Sequence, residues 1–309
     1  MNTGVKITAF AAAIAATFGT AYGVGKGVGP VGEPPAKASH GEHAEAEAAP
    51  AANAPVAGGL QVSEGGYTLA LETPTPAQGR SVLKFAVKDA AGKKVTAYTT
   101  EHGKELHFIV ASRDLTVFRH LHPVRAADGT WSTPVDLPAA GGYKAFADFK
   151  PAAKNAKGIT LGADLSVPGM SAPQPLPTPT RTATVDGYEV NLGGTLAPGR
   201  AGELKLTVSK AGKPVTDLEP YLGAYGHLVA LRAGDLAYLH VHPNEGGPGP
   251  DVSFTATAPS AGSYRLFLDF QHGGKVRTAA FTVQAGQGGA PAISTPDEAG
   301  HDAGGHEHG

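Results

Sequence analysis

The sequence predicts an all-β protein: two tandem antiparallel sandwiches behind an N-terminal signal or anchor segment. Three observations carry that expectation. Gly (43) and Pro (25) are abundant among the 309 residues, and long amphipathic helical patterns are hard to find. Two stretches of about 100 residues each carry about seven strand-like runs broken by turn signals such as "KAGKP", "RAGD" and "QHGGK". Finally, the second stretch repeats the first. Short strands at that density, joined by Gly/Pro turns, predict an immunoglobulin-like topology for each copy.

The elements follow in order. Residues 1–29 begin with the cationic Lys6 and continue as an uncharged Ala/Gly-rich run to Lys26. This fits a secretory signal, with Gly19-Thr20-Ala21 as a small-x-small cleavage candidate. It equally fits an uncleaved anchor, because the run just reaches the ~20 residues that span a bilayer. Either way the chain is expected outside the cytoplasm, secreted or anchored in the cell membrane. The "GVGKGVG" that ends the segment follows no strand and opens no helix, so it is not read as a phosphate loop. Residues 30–58 are Pro/Ala/Glu-rich without apolar periodicity and read as a disordered spacer. The first sandwich is expected over 59–168, a stiff Pro-rich linker over 169–181, the second sandwich over 182–285, and a Gly/His-rich flexible tail over 286–309.

The repeat is gapless where it matters. "AGKKVTAYTTEHGKELHFIVASRDLTVFRHLHP" (91–123) lies over "AGKPVTDLEPYLGAYGHLVALRAGDLAYLHVHP" (211–243) at a constant offset of 120 residues. Further on, "GGYKAFADF" matches "AGSYRLFLDF", so that Asp148 corresponds to Asp269 at an offset of 121. In the second copy the strand-like runs fall near 187–193, 202–209, 226–232, 236–242, 251–257, 263–270 and 276–283.

Both copies keep H-x12-H-x-H-P: His107, His120 and His122 in the first, His227, His240 and His242 in the second. If "RAGD" closes a two-residue turn, residue numbers summing to 467 lie opposite one another, and His227 faces His240; in the first copy the sum is 227, and His107 faces His120. Opposed residues on one sheet face have Cβ atoms about 4.5–5.5 Å apart. His122 and His242 lie two residues further on, on the same face. Three imidazoles so placed can reach one metal ion at about 2.0–2.1 Å. Asp148 and Asp269, each set next to Phe in a core-like strand, are then the fourth ligand or the group that orients a ligand histidine, because a buried carboxylate needs a partner. Neighbouring residues such as Glu105, Arg113 and Arg119 have unrelated counterparts, so the ligand-type residues are what the copies share. Pro123 and Pro243 read as strand terminators. His102 and His272 have no histidine counterpart and stand as auxiliary ligands or plain loop residues. His40, His43, His301, His306 and His308 sit beside acidic residues in the flexible segments, as metal-gathering or merely solubilising groups.

Composition narrows the chemistry. Cysteine is absent and only Met1 and Met170 occur, which excludes disulfides, thiolate zinc sites, iron–sulfur clusters and thioether-rich Cu(I) sites. Imidazole with carboxylate suits Cu(II) or Zn(II), and copper leads in affinity at equal geometry. A formal charge of −2 with 17% charged residues lacks the basic footprint of nucleic-acid binding.

The residues "HLVALRAGDLAYLHVHP" and "GSYRLFLDF" resemble the paired domains of exported or membrane-anchored actinobacterial proteins of poorly defined function. More distantly the chain is similar to the YtkA-like and CopC-like extracytoplasmic sandwiches. That resemblance implies metal binding or metal homeostasis without a reaction; the chain departs from the CopC pattern in lacking a ligand at a mature N-terminus. Other classes stay in view. H-x-H in a β-sandwich resembles copper–zinc superoxide dismutase, and three histidines with an open position could activate water as in zinc hydrolases. Yet the sequence has no recognisable second metal site, no bridging histidine and no G-x-S-x-G, so no enzyme is expected. The remaining alternative is a non-catalytic, membrane-tethered Ig-like structural or interaction protein.

Overall fold

The computed structural model describes residues 57–239 and 241–286. The expected signal or anchor segment, most of the spacer, the tail histidines and His240 lie outside the described residues. Among the described residues no helix is long and apolar enough to cross a membrane.

The described residues form two tandem immunoglobulin-like sandwiches. The first contains β1 (Ser63–Glu64), β2 (Tyr67–Leu71), β3 (Gly79–Lys88), β4 (Tyr98–Thr99), β5 (Leu106–Ser112), β6 (Phe118–Leu121), β7 (Val124–Arg125), β8 (Trp131–Leu137), β9 (Gly141–Pro151) and β10 (Ile159–Val167). Its sheets run β1-β2-β3-β8-β7 and β10-β9-β5-β6, and β4 pairs with β9. The second contains β11 (Thr182–Val185), β12 (Tyr188–Gly194), β13 (Gly202–Lys210), β14 (Lys213–Pro214), β15 (His227–Arg232), β16 (Tyr238–Leu239), β17 (Val241–Pro243), β18 (Asp251–Ala256), β19 (Gly262–His272) and β20 (Lys275–Ala285). Its sheets run β11-β12-β13-β18-β17 and β16-β15-β19-β20, and β14 pairs with β13. Each sandwich encloses its own core, built on Phe85, Phe108, Trp131 and Phe149 in one and on Leu206, Phe254, Phe270 and Phe281 in the other. In both, a buried tyrosine at the start of the long strand ties back to the main chain four residues earlier. Tyr143 Oη donates to the Ala139 carbonyl at 2.7 Å and Tyr264 Oη to the Ser260 carbonyl at 2.8 Å. This is the tyrosine corner of immunoglobulin-like folds.

The hairpin register differs from expectation by two residues. Ile109 faces His120 and Ala230 faces Leu239, so opposed numbers sum to 229 and 469. The expected facing of His107 with His120 is thereby corrected; that of His227 with His240 falls on a residue outside the described ones. The turn is four residues long rather than two. Asp114 caps the first turn, accepting from Thr116 N and from the Ser112 and Thr116 hydroxyls. Asp235 caps the second, accepting from Ala237 N at 3.1 Å and pairing with Arg232. Leu115 and Leu236 take positive φ (59° and 61°), a conformation that costs a non-glycine residue free energy, and both are buried. A shift of two preserves the sheet face, so the histidines keep their common side.

The second difference is larger. The sandwiches are not beads on a stiff linker but halves of one compact unit, packed sheet on sheet. Ile109, Ala111, Leu115 and Phe146 of the first meet Val229, Leu231, Leu236, Tyr238 and Phe267 of the second in a third apolar core. Every residue of β5 is buried because its two faces serve two different cores. Phe118 stacks on Phe267 with centroids 4.0 Å apart and planes 6° apart, worth about 0.5–1.5 kcal/mol beyond area burial. Phe146 lies 5.7 Å from Tyr238. The Pro-rich linker takes part: Leu176 packs against this core, Gln174 N donates to Asp114 Oδ2 and Thr180 N to the Thr282 carbonyl.

Candidate metal centre between the sandwiches

The faces that meet are the faces that carry the histidines. Residues 107, 109 and 111 alternate outward on β5, and 227, 229 and 231 do the same on β15. Ile109, Ala111, Val229 and Leu231 fill the apolar part of the contact; His107 and His227 stand at its other end. After β6 the chain leaves its sheet to pair in the opposite sheet as β7, and β17 likewise pairs with β18. His122 therefore lies at that crossing, and His242 lies within β17.

His107, His120 and His122 offer one nitrogen each within 4.8 Å of one another. Their ring centroids are 5.3 Å (His107–His120), 5.6 Å (His107–His122) and 4.9 Å (His120–His122) apart. Rings radiating tetrahedrally from one ion, with metal–nitrogen bonds of about 2.0–2.1 Å, would have centroids roughly 5 Å apart. The triad fits that geometry.

The hydrogen bonds cross from one sandwich to the other. His120 Nδ1 donates to Asp269 Oδ2 at 2.8 Å, and both side chains are almost wholly buried. Asp269 also accepts from Thr278 Oγ1 at 2.5 Å. Asp269 was expected to serve the triad of its own copy; it serves the other one. This bond fixes the His120 tautomer and leaves Nε2 as a lone pair, 3.1 Å from His107 Nδ1. Either tautomer of His107 then leaves a buried nitrogen unmatched. With its proton on Nδ1, the buried Nε2 lone pair has no donor; with its proton on the other nitrogen, toward the Glu101 main chain, two lone pairs face each other between His107 and His120. His122 Nε2 is likewise buried without a hydrogen-bond partner, while its Nδ1 lies 3.4 Å from Tyr221 Oη. Such orphans call for a partner of another kind.

Electrostatics favour the neutral, metal-competent imidazoles. Burial, reinforced by His120, His122 and His227, lowers His107 from its ordinary 6.5 to about 3. Burial, then His120 and Lys104, lowers His122 to about 4. His227 is also lowered, chiefly by burial. Its Nε2 donates to the Tyr221 carbonyl at 2.7 Å, which leaves Nδ1 unprotonated.

The remaining expected residues fall in several places. His227 approaches the triad, with centroids 6.2 Å from His107 and 6.3 Å from His120. His102 is exposed on a tight turn at φ 50°, its ring 6.2 Å from His107 and 5.7 Å from His227. Asp148 accepts from Thr160 Oγ1 at 2.9 Å and, with His242, lines the same cavity as His107, His120 and His227. That cavity measures about 410 Å³. His272 stands apart from the cluster, accepting from Tyr188 Oη at 2.6 Å and donating through Nε2 to Asp217 at 3.1 Å. Sequence reasoning missed Tyr221, Thr160 and Thr278, and it placed a separate site in each sandwich. The described histidines other than His272 meet instead at one place between the two.

A family profile described as "Domain of unknown function (DUF8832)" matches residues 61–160 and again 183–287. No curated protein matches the chain. Among solved structures, a marsupial T cell receptor is 9% identical over 69% of this chain and 61% of its own, with a TM-score of 0.22. MtrC from Shewanella baltica OS185 is 7% identical over 71% of this chain and 69% of its own, at 0.24. The S-layer protein rSbsC(31-844) is 16% identical over 74% of this chain and 28% of its own, at 0.23. At such scores none of the three bears on function.

Proposed function

Because the chain belongs to the DUF8832 family, a domain of unknown function present here in two copies, we propose its function from the chamber those copies share: binding of Cu(II) or Zn(II) outside the cytoplasm, without catalysis. The carrying observation is the half-buried triad His107, His120 and His122, with unmatched nitrogens on His107 and His122. The donor set is imidazole with a carboxylate behind it, which suits either ion, copper ahead in affinity. His107, His120 and His122 would hold the ion; Asp269, through Nδ1 of His120, orients one ligand from the opposite sandwich. The cationic and then uncharged start of the sequence supports export, and the likeness to YtkA-like and CopC-like sandwiches supports metal homeostasis as the setting.

The test is elemental analysis of the full chain after exhaustive dialysis, with the five terminal-segment histidines at 40, 43, 301, 306 and 308 replaced by Ala. The expected result is at least one tightly held copper or zinc ion per chain, with one ion fewer in His120→Ala and His122→Ala variants. Asp269→Asn should keep the ligands yet weaken metal affinity about 10–100-fold. Sub-stoichiometric metal in the chain that retains all three ligands sinks the proposal.

The second reading is a non-catalytic, membrane-tethered Ig-like structural or interaction protein. The tandem all-β architecture favours it by itself. In that reading the histidines are a polar rim to the contact between sandwiches, and a strong chelator leaves the melting temperature unchanged.

A further inference from the structure

We infer that the chamber is built for two neighbouring metal ions, the second held by His227 and His242, with the Asp148 carboxylate in the same cavity. This rests on the metal-binding reading and extends it.

The contact between the sandwiches has a pseudo-twofold character. Phe118 and Tyr238 are repeat counterparts, as are Phe146 and Phe267, and the aromatic pairs are Phe118–Phe267 and Phe146–Tyr238. Each copy thus gives the other the same two positions, the pattern of an isologous interface written within one chain. The histidine end follows the same exchange. Asp269 accepts from its ladder neighbour Thr278, and Asp148 accepts from its ladder neighbour Thr160. His107 and His227 each pair across the ladder with the aspartate of their own copy. The turns before them match as well: Glu101–Lys104 and Tyr221–Ala224 close with the same paired bonds, and His102 and Leu222 share positive φ values of 50° and 54°.

What one triad offers, the other half therefore offers in mirror order. The Tyr221 carbonyl accepts a hydrogen bond from the Nε2–H of His227, so its Nδ1 carries the lone pair that a metal can use. His242, the counterpart of His122, lines the same cavity. The His107–His227 separation of 6.2 Å exceeds the roughly 5 Å expected for two ligands of one tetrahedral ion. It is short enough to make ions held on either side of it neighbours. Two carboxylates, one from each sandwich, offset the added charge.

Copper is the probe. The full chain with Ala at positions 40, 43, 301, 306 and 308 is loaded with Cu(II), dialysed, counted by elemental analysis and examined by electron spin resonance. Expected are two coppers per chain with a spin-coupled or dipolar-broadened spectrum. His227→Ala, and separately the exposed-site variant His242→Ala, should each leave one copper with an ordinary isolated spectrum. Circular dichroism confirms that each variant is folded. One copper in the chain with both sets intact overturns the inference and leaves the metal-binding reading standing. So do two coppers with uncoupled spectra, or two coppers retained in both variants. Neither copper nor zinc bound would overturn both.

Discussion

The two ends of the contact between the sandwiches use the same strands for opposite purposes. At one end Ile109, Val229 and Phe267 are buried in one apolar cluster, with Phe118 stacked on Phe267. One pleat away, His107 and His122 sit buried with nitrogens unmatched. Apolar packing at the first end holds the faces together, and this is what lets the second remain under-satisfied. A site poised for an ion needs a scaffold that stays shut without it.

The comparison can be broken at either end. Phe267→Ala removes a buried ring from the apolar end and should lower unfolding free energy by about 3–5 kcal/mol, read by urea denaturation. Gly162→Ala comes next. A Cβ there would overlap the Gly59 carbonyl oxygen, and equilibrium unfolding should show a loss of about 1–3 kcal/mol. The histidine end responds to pH instead. His107 and His122 titrate near 6.5 when unfolded but at about 3 and about 4 when folded, so the unfolded chain binds more protons in between. The stability they permit is complete above about pH 6.5 and falls as pH drops toward 4. For the metal-free protein the limiting slope from His107 is about 1.4 kcal/mol per pH unit. Urea midpoints that stay flat from pH 7 to 5 would contradict the buried placement. The smallest effect belongs to neither end: Val124→Thr, at an exposed position, should stay within about 0.5 kcal/mol in the same measurement.

Much of this was legible in the sequence, for physical reasons that differ by element. The strands declared themselves through alternation and turns, and the ligand-type residues through their survival in two otherwise different copies. The register did not, because "RAGD" reads as a two-residue turn until Asp235 is seen capping a longer one that buries Leu236. The joining of the copies was hidden for another reason: it depends on which faces meet. A signal did exist. "LHFIVAS" is apolar at both parities, and a strand with one wet face has no cause to be. The crossing of Asp269 to His120 had no sequence signature, since each aspartate looks equally suited to its own copy.

The short stretch from Gly58 to Gln61 has a mechanical meaning. Gly58 exchanges both main-chain bonds with Tyr238 in the second sandwich, at 3.1 and 2.9 Å. Gly59 donates to Thr160, and Gly162 donates to Gln61, in the first, each at 2.8 Å. A pull on the chain at Gly58 would therefore load both sandwiches at once, as shear along these bonds rather than peeling of a single edge. The first thing such a force would strain is the seam on which the histidines depend.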